Sequence, residues 1–348
     1  MDQNRFLTPL QAAALAAGCV LMPGIWALPA ALIADAGRDS LWLVLAALIL
    51  PLAEVQAVVR LYRRHPAASF HQLLAARFSP VAAGILKGLV YLSLALSVAL
   101  CVAPFLAAIR LYLLPSTSTW LLCLVTLGCF AYACTRDMAT LPGFWTLMLL
   151  ISGVGVIMVF FPFSQGNYYL LLPWGGGLAQ PLHALRTLAA LPLPLLSLLV
   201  LYPHFQRPKR SGRSLRIGLV VGYALLSASV GIAIAVLGAP LTAALRFPGV
   251  EIVKTVAFFE RLELFFMLLT ALAVSVPLTA CGLSARLLAG GRLTKFNCVA
   301  FFLIASLLAF WPHPLWEAIG QSIAAGAYPL VGIALPLLLS TGRKEALS

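Results

Sequence analysis

Charge is what this sequence has least of. Asp, Glu, Lys and Arg together make up 9% of its 348 residues, against about 25% in a soluble domain. Hydrophobic residues reach 62%, and mean hydropathy is +1.01. A water-soluble core cannot hide that much apolar surface, so a bilayer is the natural solvent. Hydrophilic stretches long enough for a soluble domain are missing, and 1–348 reads as a single transmembrane domain. Enzyme signatures are missing as well: there is no His-Glu-x-x-His, no phosphate-binding loop, no Gly-x-Ser-x-Gly and no metal-spaced His cluster. The seven Cys are scattered without a Cys-x-x-Cys pair, so they read as buried thiols rather than disulfides or metal ligands. No metal, cofactor or catalytic residue is expected. The opening MDQNRFLTPLQ leads into a run that lacks a short apolar core with a small-residue cleavage site. It reads as a retained first span rather than a signal peptide.

What is present is a series of apolar runs. A span needs about 20 apolar residues, and candidates lie at 8–34, 40–61, 81–113, 119–135, 141–163, 184–203, 215–238, 260–288, 296–312 and 318–340. All should be helices, because barrel strands would alternate over about ten residues. The formal charge of +13 does not point to nucleic acid; in a polytopic chain it reflects Lys and Arg in cytoplasmic loops. With the N-terminus inside, Arg60, Arg63, Arg64, Arg77, Arg136, Arg207, Lys209, Arg210, Arg213, Arg286 and others fall on the cytoplasmic side. Only Arg38, Arg110, Arg186, Arg246, Lys254 and Arg261 fall outside, so both termini are expected in the cytoplasm. A cytoplasmic interfacial helix is expected at 67–78, with Phe70, Leu73, Leu74 and Phe78 on one face, and an extracellular helix at 248–258.

In two runs a close pair of helix breakers falls near the middle. Span 1 has Pro23-Gly24 near its middle, and span 6 has Pro192 and Pro194 in LAALPLPLLSLL. Proline lacks an N–H and clashes with the carbonyl four residues back, and glycine adds backbone freedom. Breaks at positions one and six fit a five-plus-five inverted repeat, about 8–163 and 184–340. Unwound backbone in hydrocarbon is tolerated where it is buried or lines a cavity. There, helix N-termini favour a carboxylate and free carbonyls an ammonium, and an amino acid presents both. The bland alternative is that the prolines only kink their helices.

Intramembrane polar residues are few. Glu54 in span 2 admits a proton relay, or an acid reaching the interface near Arg60. Ser93, Ser97 and Cys101 share a face of span 3, as do Ala271, Ser275 and Thr279 on span 8; each stripe reads as a packing seam or as cavity surface. Glu260 and Glu263, with Arg261, stand at the outer start of span 8, as a helix-capping cluster or as a contact at the mouth for a partner subunit or an incoming ligand.

Several stretches resemble the GerAB-like spore germination proteins. They are LTPLQ with ALPAALIADAGRDSLWLVLAAL, RRHPAASFHQLLAARFSPVAAGILKGLVY, LLPSTS, YACTRDMATLPGFW and, most specifically, FPGVEIVKTVAFFERLELFF. The resemblance covers nearly the whole chain. It implies a ten-span all-α relative of the amino acid–polyamine–organocation transporters, with a LeuT-like core broken in spans 1 and 6. It also implies the B subunit of a nutrient germinant receptor in the spore inner membrane, working with a membrane-embedded A subunit and a lipoprotein C subunit. Ligands of that family are typically amino acids such as L-alanine. An amino acid permease, proton-coupled, is the alternative. By that likeness the ligand site is expected at Met22, Pro23, Gly24, Ile25, Tyr91, Ser97, Pro194, Leu195, Ser197 and Ser275. Span 6 carries no acid beyond its break, so nothing there points to a proton carrier.

Overall fold

Thr8 starts the first helix. Its hydroxyl accepts from the Gln11 N–H at 3.3 Å, and Gln11 Oε1 accepts from the Thr8 N–H at 2.8 Å, with Pro9 in the first turn. In this computed structural model that helix, α1, runs Pro9–Gly24. The structure describes residues 7–66, 68–136, 140–172, 181–256, 261–289, 294–310 and 314–341. After a turn at 25–27 the chain resumes as α2 (Leu28–Ala36), reverses at Gly37 with φ of 57°, and continues as α3 (Ser40–Ala47) and α4 (Ile49–Arg64). The run expected as one span over 40–61 is interrupted at Leu48. Pro51 has no N–H to offer the Ala47 carbonyl, which accounts for the interruption.

A second capping box, Ser69 with Gln72, starts α5 (Phe70–Arg77), whose Phe70, Leu73 and Leu74 are buried. Then follow α6 (Pro80–Tyr112), α7 (Thr119–Thr135), α8 (Thr140–Met158) and α9 (Pro181–Ala190). A 3-10 segment at Leu193–Ser197 leads into the single turn α10 (Leu198–Leu201). The next helix, α11 (Pro208–Leu237), begins seven residues before the apolar run that announced it. Hydropathy marks where lipid starts, not where a helix starts, and Pro208 in the first turn suits a helix N-terminus. The chain closes with α12 (Ala239–Ala244), α13 (Pro248–Lys254), α14 (Leu262–Ala289), α15 (Thr294–Phe310), α16 (Pro314–Tyr328), a π-helical turn at Pro329–Ala334, and α17 (Leu335–Ser340). Among the described residues the extended pairing is one bridge, Leu7 with Phe205.

Seven helical stretches among the described residues are long and apolar enough to cross a membrane. Pro9–Leu21, Thr119–Thr135 and Phe296–Ala309 are shorter apolar helices. The centre of the bundle is built on α1, α11 and α14. The first two touch backbone to backbone: a Cβ at Gly218 would stand 2.3 Å from the Ala13 carbonyl oxygen. Small residues permit such approaches where hydrophobic burial cannot drive association between helices. Leu150 on α8 and Leu307 on α15 are 72% and 70% exposed, an outer surface matched to lipid.

Contacts between loops sort the bundle into two ends. At one end, the Leu7 N–H donates to the His204 carbonyl at 3.1 Å, and the Gln206 N–H to the Leu7 carbonyl at 2.9 Å. Tyr62 stacks on Tyr202 at the same end. Arg64 donates to the Ser340 carbonyl, and Arg77 to the Thr341 hydroxyl at 3.0 Å. At the other end, Arg38 donates to the Leu172 carbonyl. There too the Tyr112 hydroxyl donates to Glu251 at 2.6 Å, and Lys254 pairs with Glu251 at 3.0 Å.

Candidate functional site

The helix of α1 closes with the Ile25 N–H on the Leu21 carbonyl at 3.0 Å, and regular structure resumes only at Leu28. Residues 25–27 are held from the side. The Trp26 indole N–H donates to the Thr270 hydroxyl at 2.9 Å, and its ring packs on Phe105 with centroids 5.5 Å apart. From the far side, α13 presses on the turn: a Cβ at Gly249 would lie 2.6 Å from the Ile25 carbonyl oxygen.

The second interruption starts after Ala190. Pro192 and Pro194 supply no N–H, so the carbonyls of Leu188 and Ala190 have no helical donor four residues on. The chain tightens into a 3-10 turn, with the Leu195 N–H on the Pro192 carbonyl at 2.8 Å. Side chains of α14 meet this segment: Cys281 Sγ lies 3.9 Å from the Pro194 carbonyl, and the Ser284 hydroxyl donates to the Ser197 carbonyl at 3.3 Å. Ser97 Oγ and Cys281 Sγ are 3.5 Å apart. The two interruptions are neighbours, since a Cβ at Gly24 would lie 3.3 Å from a Leu191 methyl and 2.9 Å from one of Leu226.

A cavity of about 130 Å³ opens beside them, roughly ten times the space one water needs. Its first wall is Ala27, Leu28 and Ala31, from the end of the turn and the start of α2. Its second is Ser97, Leu100, Cys101 and Pro104 of α6. The third runs from Thr187 and Ala190 at the end of α9 through Leu191 to Pro194, and Gln321 of α16 completes the lining. Among the described lining residues the polar side chains are Ser97, Cys101, Thr187 and Gln321, and none is charged.

Of the residues singled out in the sequence, Ser97 and Pro194 line the cavity. Gly24 and Ile25 form the end of α1, and Leu195 and Ser197 are buried in the 3-10 segment. Met22 and Pro23 belong to the last turn of α1; their side chains lie outside the described ones. Tyr91 faces α15, donating to the Asn297 carbonyl at 2.9 Å and meeting Phe301 edge-on at 5.2 Å. Ser275 donates to the Leu272 carbonyl within its own helix. Glu54 is fully buried and accepts from the Tyr328 hydroxyl. Glu263 sits in the first turn of α14, Arg261 just before it has φ of 62°, and Glu260 lies outside the described residues.

Sequence reasoning passed over Gln321, Thr187 and Thr270. Gln321 stood as a lone amide in AIGQSIAAG, which is a weak but visible signal. Nothing local marked Thr270, whose partner Trp26 is 244 residues away.

The fold aligns with that of a Na+-coupled sialic acid symporter in its substrate-bound, outward-open state. The TM-score is 0.64 at 12% identity, over 94% of this chain and 88% of the symporter. The all-helical, LeuT-like transporter class expected from the sequence is therefore the class found. A search of curated proteins finds no match. The sequence itself matches the family described as spore germination protein over residues 6–312. An integral membrane protein with a transporter fold, the chain belongs to the spore germination protein family.

Proposed function

We propose that the cavity between α2, α6, α9 and α16 binds a small amino acid, and that the chain serves as the B subunit of a nutrient germinant receptor in the spore inner membrane. The observation that carries this is the pairing of helix ends around an uncharged cavity. Leu28, at the N-terminus of α2, and Ala190, at the C-terminus of α9, both line it. A helix N-terminus offers N–H groups and positive potential to a carboxylate. The carbonyl of Ala190, which has no N–H four residues on because Pro194 supplies none, offers itself to an ammonium. With no charged side chain among the described lining residues, a net ion would be poorly matched and a zwitterion well matched.

Ligand binding then shifts the bundle between two arrangements, by as much as its affinities for them differ. The shift is passed to a membrane-embedded A subunit and a lipoprotein C subunit. Ten crossings in two inverted repeats, about 8–163 and 184–340, with both termini cytoplasmic, complete the proposal. This count supports, and is supported by, the bridge of Leu7 to Phe205 and the bond of Arg64 to Ser340, each joining points separated by an even number of spans.

A second reading, transport of the amino acid across the membrane, is favoured by the symporter-like fold. Purified protein in liposomes separates the two. Saturable binding of L-alanine without net uptake supports the receptor; concentrative uptake of radiolabelled L-alanine supports the transporter.

A further inference from the structure

Glu54 lies on α4 with no exposure to solvent. One carboxyl oxygen accepts from Tyr328; the other, Oε1, has no hydrogen-bond partner. The hydroxyl of Tyr223, on α11, is also buried and without a partner, and it stands within electrostatic reach of the carboxyl. Cys19 of α1 is within electrostatic reach of it as well. The 3-10 segment Leu193–Ser197 and the π-helical turn Pro329–Ala334 bring no titratable side chain to it. Arg216 of α11 is engaged two residues further along α4, with Gln56. A carboxylate with one hydrogen bond and no cation among the described residues, in so apolar a setting, is poorly compensated.

We propose that Glu54 is a proton-binding site inside the bundle, and that its occupancy is linked to the ligand cavity through the 3-10 segment Leu193–Ser197. Hydronium gives its proton to Oε1 and leaves as water; the carboxylate becomes a neutral acid. The new O–H needs an acceptor, and the buried, unpartnered Tyr223 hydroxyl lies within electrostatic reach. A metal ion fits less well, because among the described residues no three His, Cys, Asp or Glu side chains gather. The link is steric. Leu193 and Pro194, at the start of the segment, line the cavity. Leu196, two residues on, meets the carboxyl across Gly332, where a Cβ would lie 3.0 Å from Leu196 and 3.2 Å from Glu54 Cδ. Gly332 sits in the π-helical turn, a distortion often found at functional positions. A ligand that moves the segment therefore changes the room and polarity around the carboxyl.

Only the linkage clause rests on the ligand reading above, and the experiment keeps the two apart. The full chain in lipid nanodiscs is studied by infrared difference spectroscopy across a pH series. Wild type, Glu54→Gln and Tyr328→Phe are compared. The wild type should show a protonated-carboxyl band that grows as pH falls, is absent in Glu54→Gln and shifts in frequency in Tyr328→Phe. Identical carboxyl spectra in wild type and Glu54→Gln would overturn the site. So would a band that answers to sodium chloride and not to pH, which would mean a cation site instead. If Glu54→Gln does not fold, an unshifted band in Tyr328→Phe overturns it equally. L-alanine is then the probe for linkage. Its Kd should change by up to about tenfold per pH unit in wild type and stay flat in Glu54→Gln. Binding that is independent of pH in both overturns the linkage. A band that titrates in a chain that never binds L-alanine leaves the proton site standing and counts against the ligand reading.

Discussion

The indole of Trp26 and the hydroxyl of Thr270, 2.9 Å apart, tie the turn between α1 and α2 to α14. Thr270 passes the bond on to the Phe266 carbonyl of its own helix. The turn at 25–27 is thus fastened to a rigid element. Trp26→Phe and Thr270→Val should each destabilise the fold by about 1 kcal/mol, the net worth of a buried hydrogen bond. Their combination should cost little more than either alone. A double-mutant cycle on chemical denaturation in detergent reads the coupling.

Gly24→Leu fills the space between the interruptions. Its Cβ alone would meet Leu226 at 2.9 Å and Leu191 at 3.3 Å. Overpacking of this kind costs about 1–3 kcal/mol. Insertion and helical content should survive, and L-alanine binding should be lost. Circular dichroism and calorimetry on the same preparation check both halves.

The cavity lining predicts a division among polar residues. Ser97→Ala and Gln321→Ala should each weaken L-alanine binding by about 0.5–1.5 kcal/mol, the range for one neutral hydrogen bond. Tyr91→Phe should leave affinity unchanged and lower thermal stability, because its hydroxyl serves the Asn297 carbonyl on α15. Equal losses of affinity for all three would show that the lining is misassigned.

That contrast marks how far the sequence could be read. Pro192 and Pro194 act through bonds their own backbone cannot make, so the interruption they cause was legible locally. The capping boxes at Thr8 and Ser69 were within reach of the same reasoning. Tyr91 and Ser97 lie on one helix and looked alike in sequence, yet one meets α15 and the other the cavity. Side-chain direction within a bundle is set by which helices come adjacent, and apolar periodicity is weak in a chain hydrophobic on nearly every face. Glu54 stood out as an intramembrane acid, while its partner Tyr328 is 274 residues distant and had no mark of its own. The interruption at Leu48 was missed because Pro51 lay within an apolar run long enough to pass as one span.

The two ends of the bundle predict a labelling pattern. In a Cys129→Ser background, Arg213→Cys should react with an impermeant maleimide only from the cytoplasmic side, and Tyr169→Cys only from outside. Both positions are exposed. Labelling of intact and inverted vesicles compares them; reaction of both from one side would contradict the ten-crossing arrangement.

The most direct measurement compares L-alanine with its N-acetyl and amide derivatives by titration calorimetry on the purified chain. Paired helix ends around an uncharged cavity predict that free L-alanine binds, and that masking either charge abolishes or sharply weakens binding. Either masked derivative binding as tightly as the free amino acid would contradict the account.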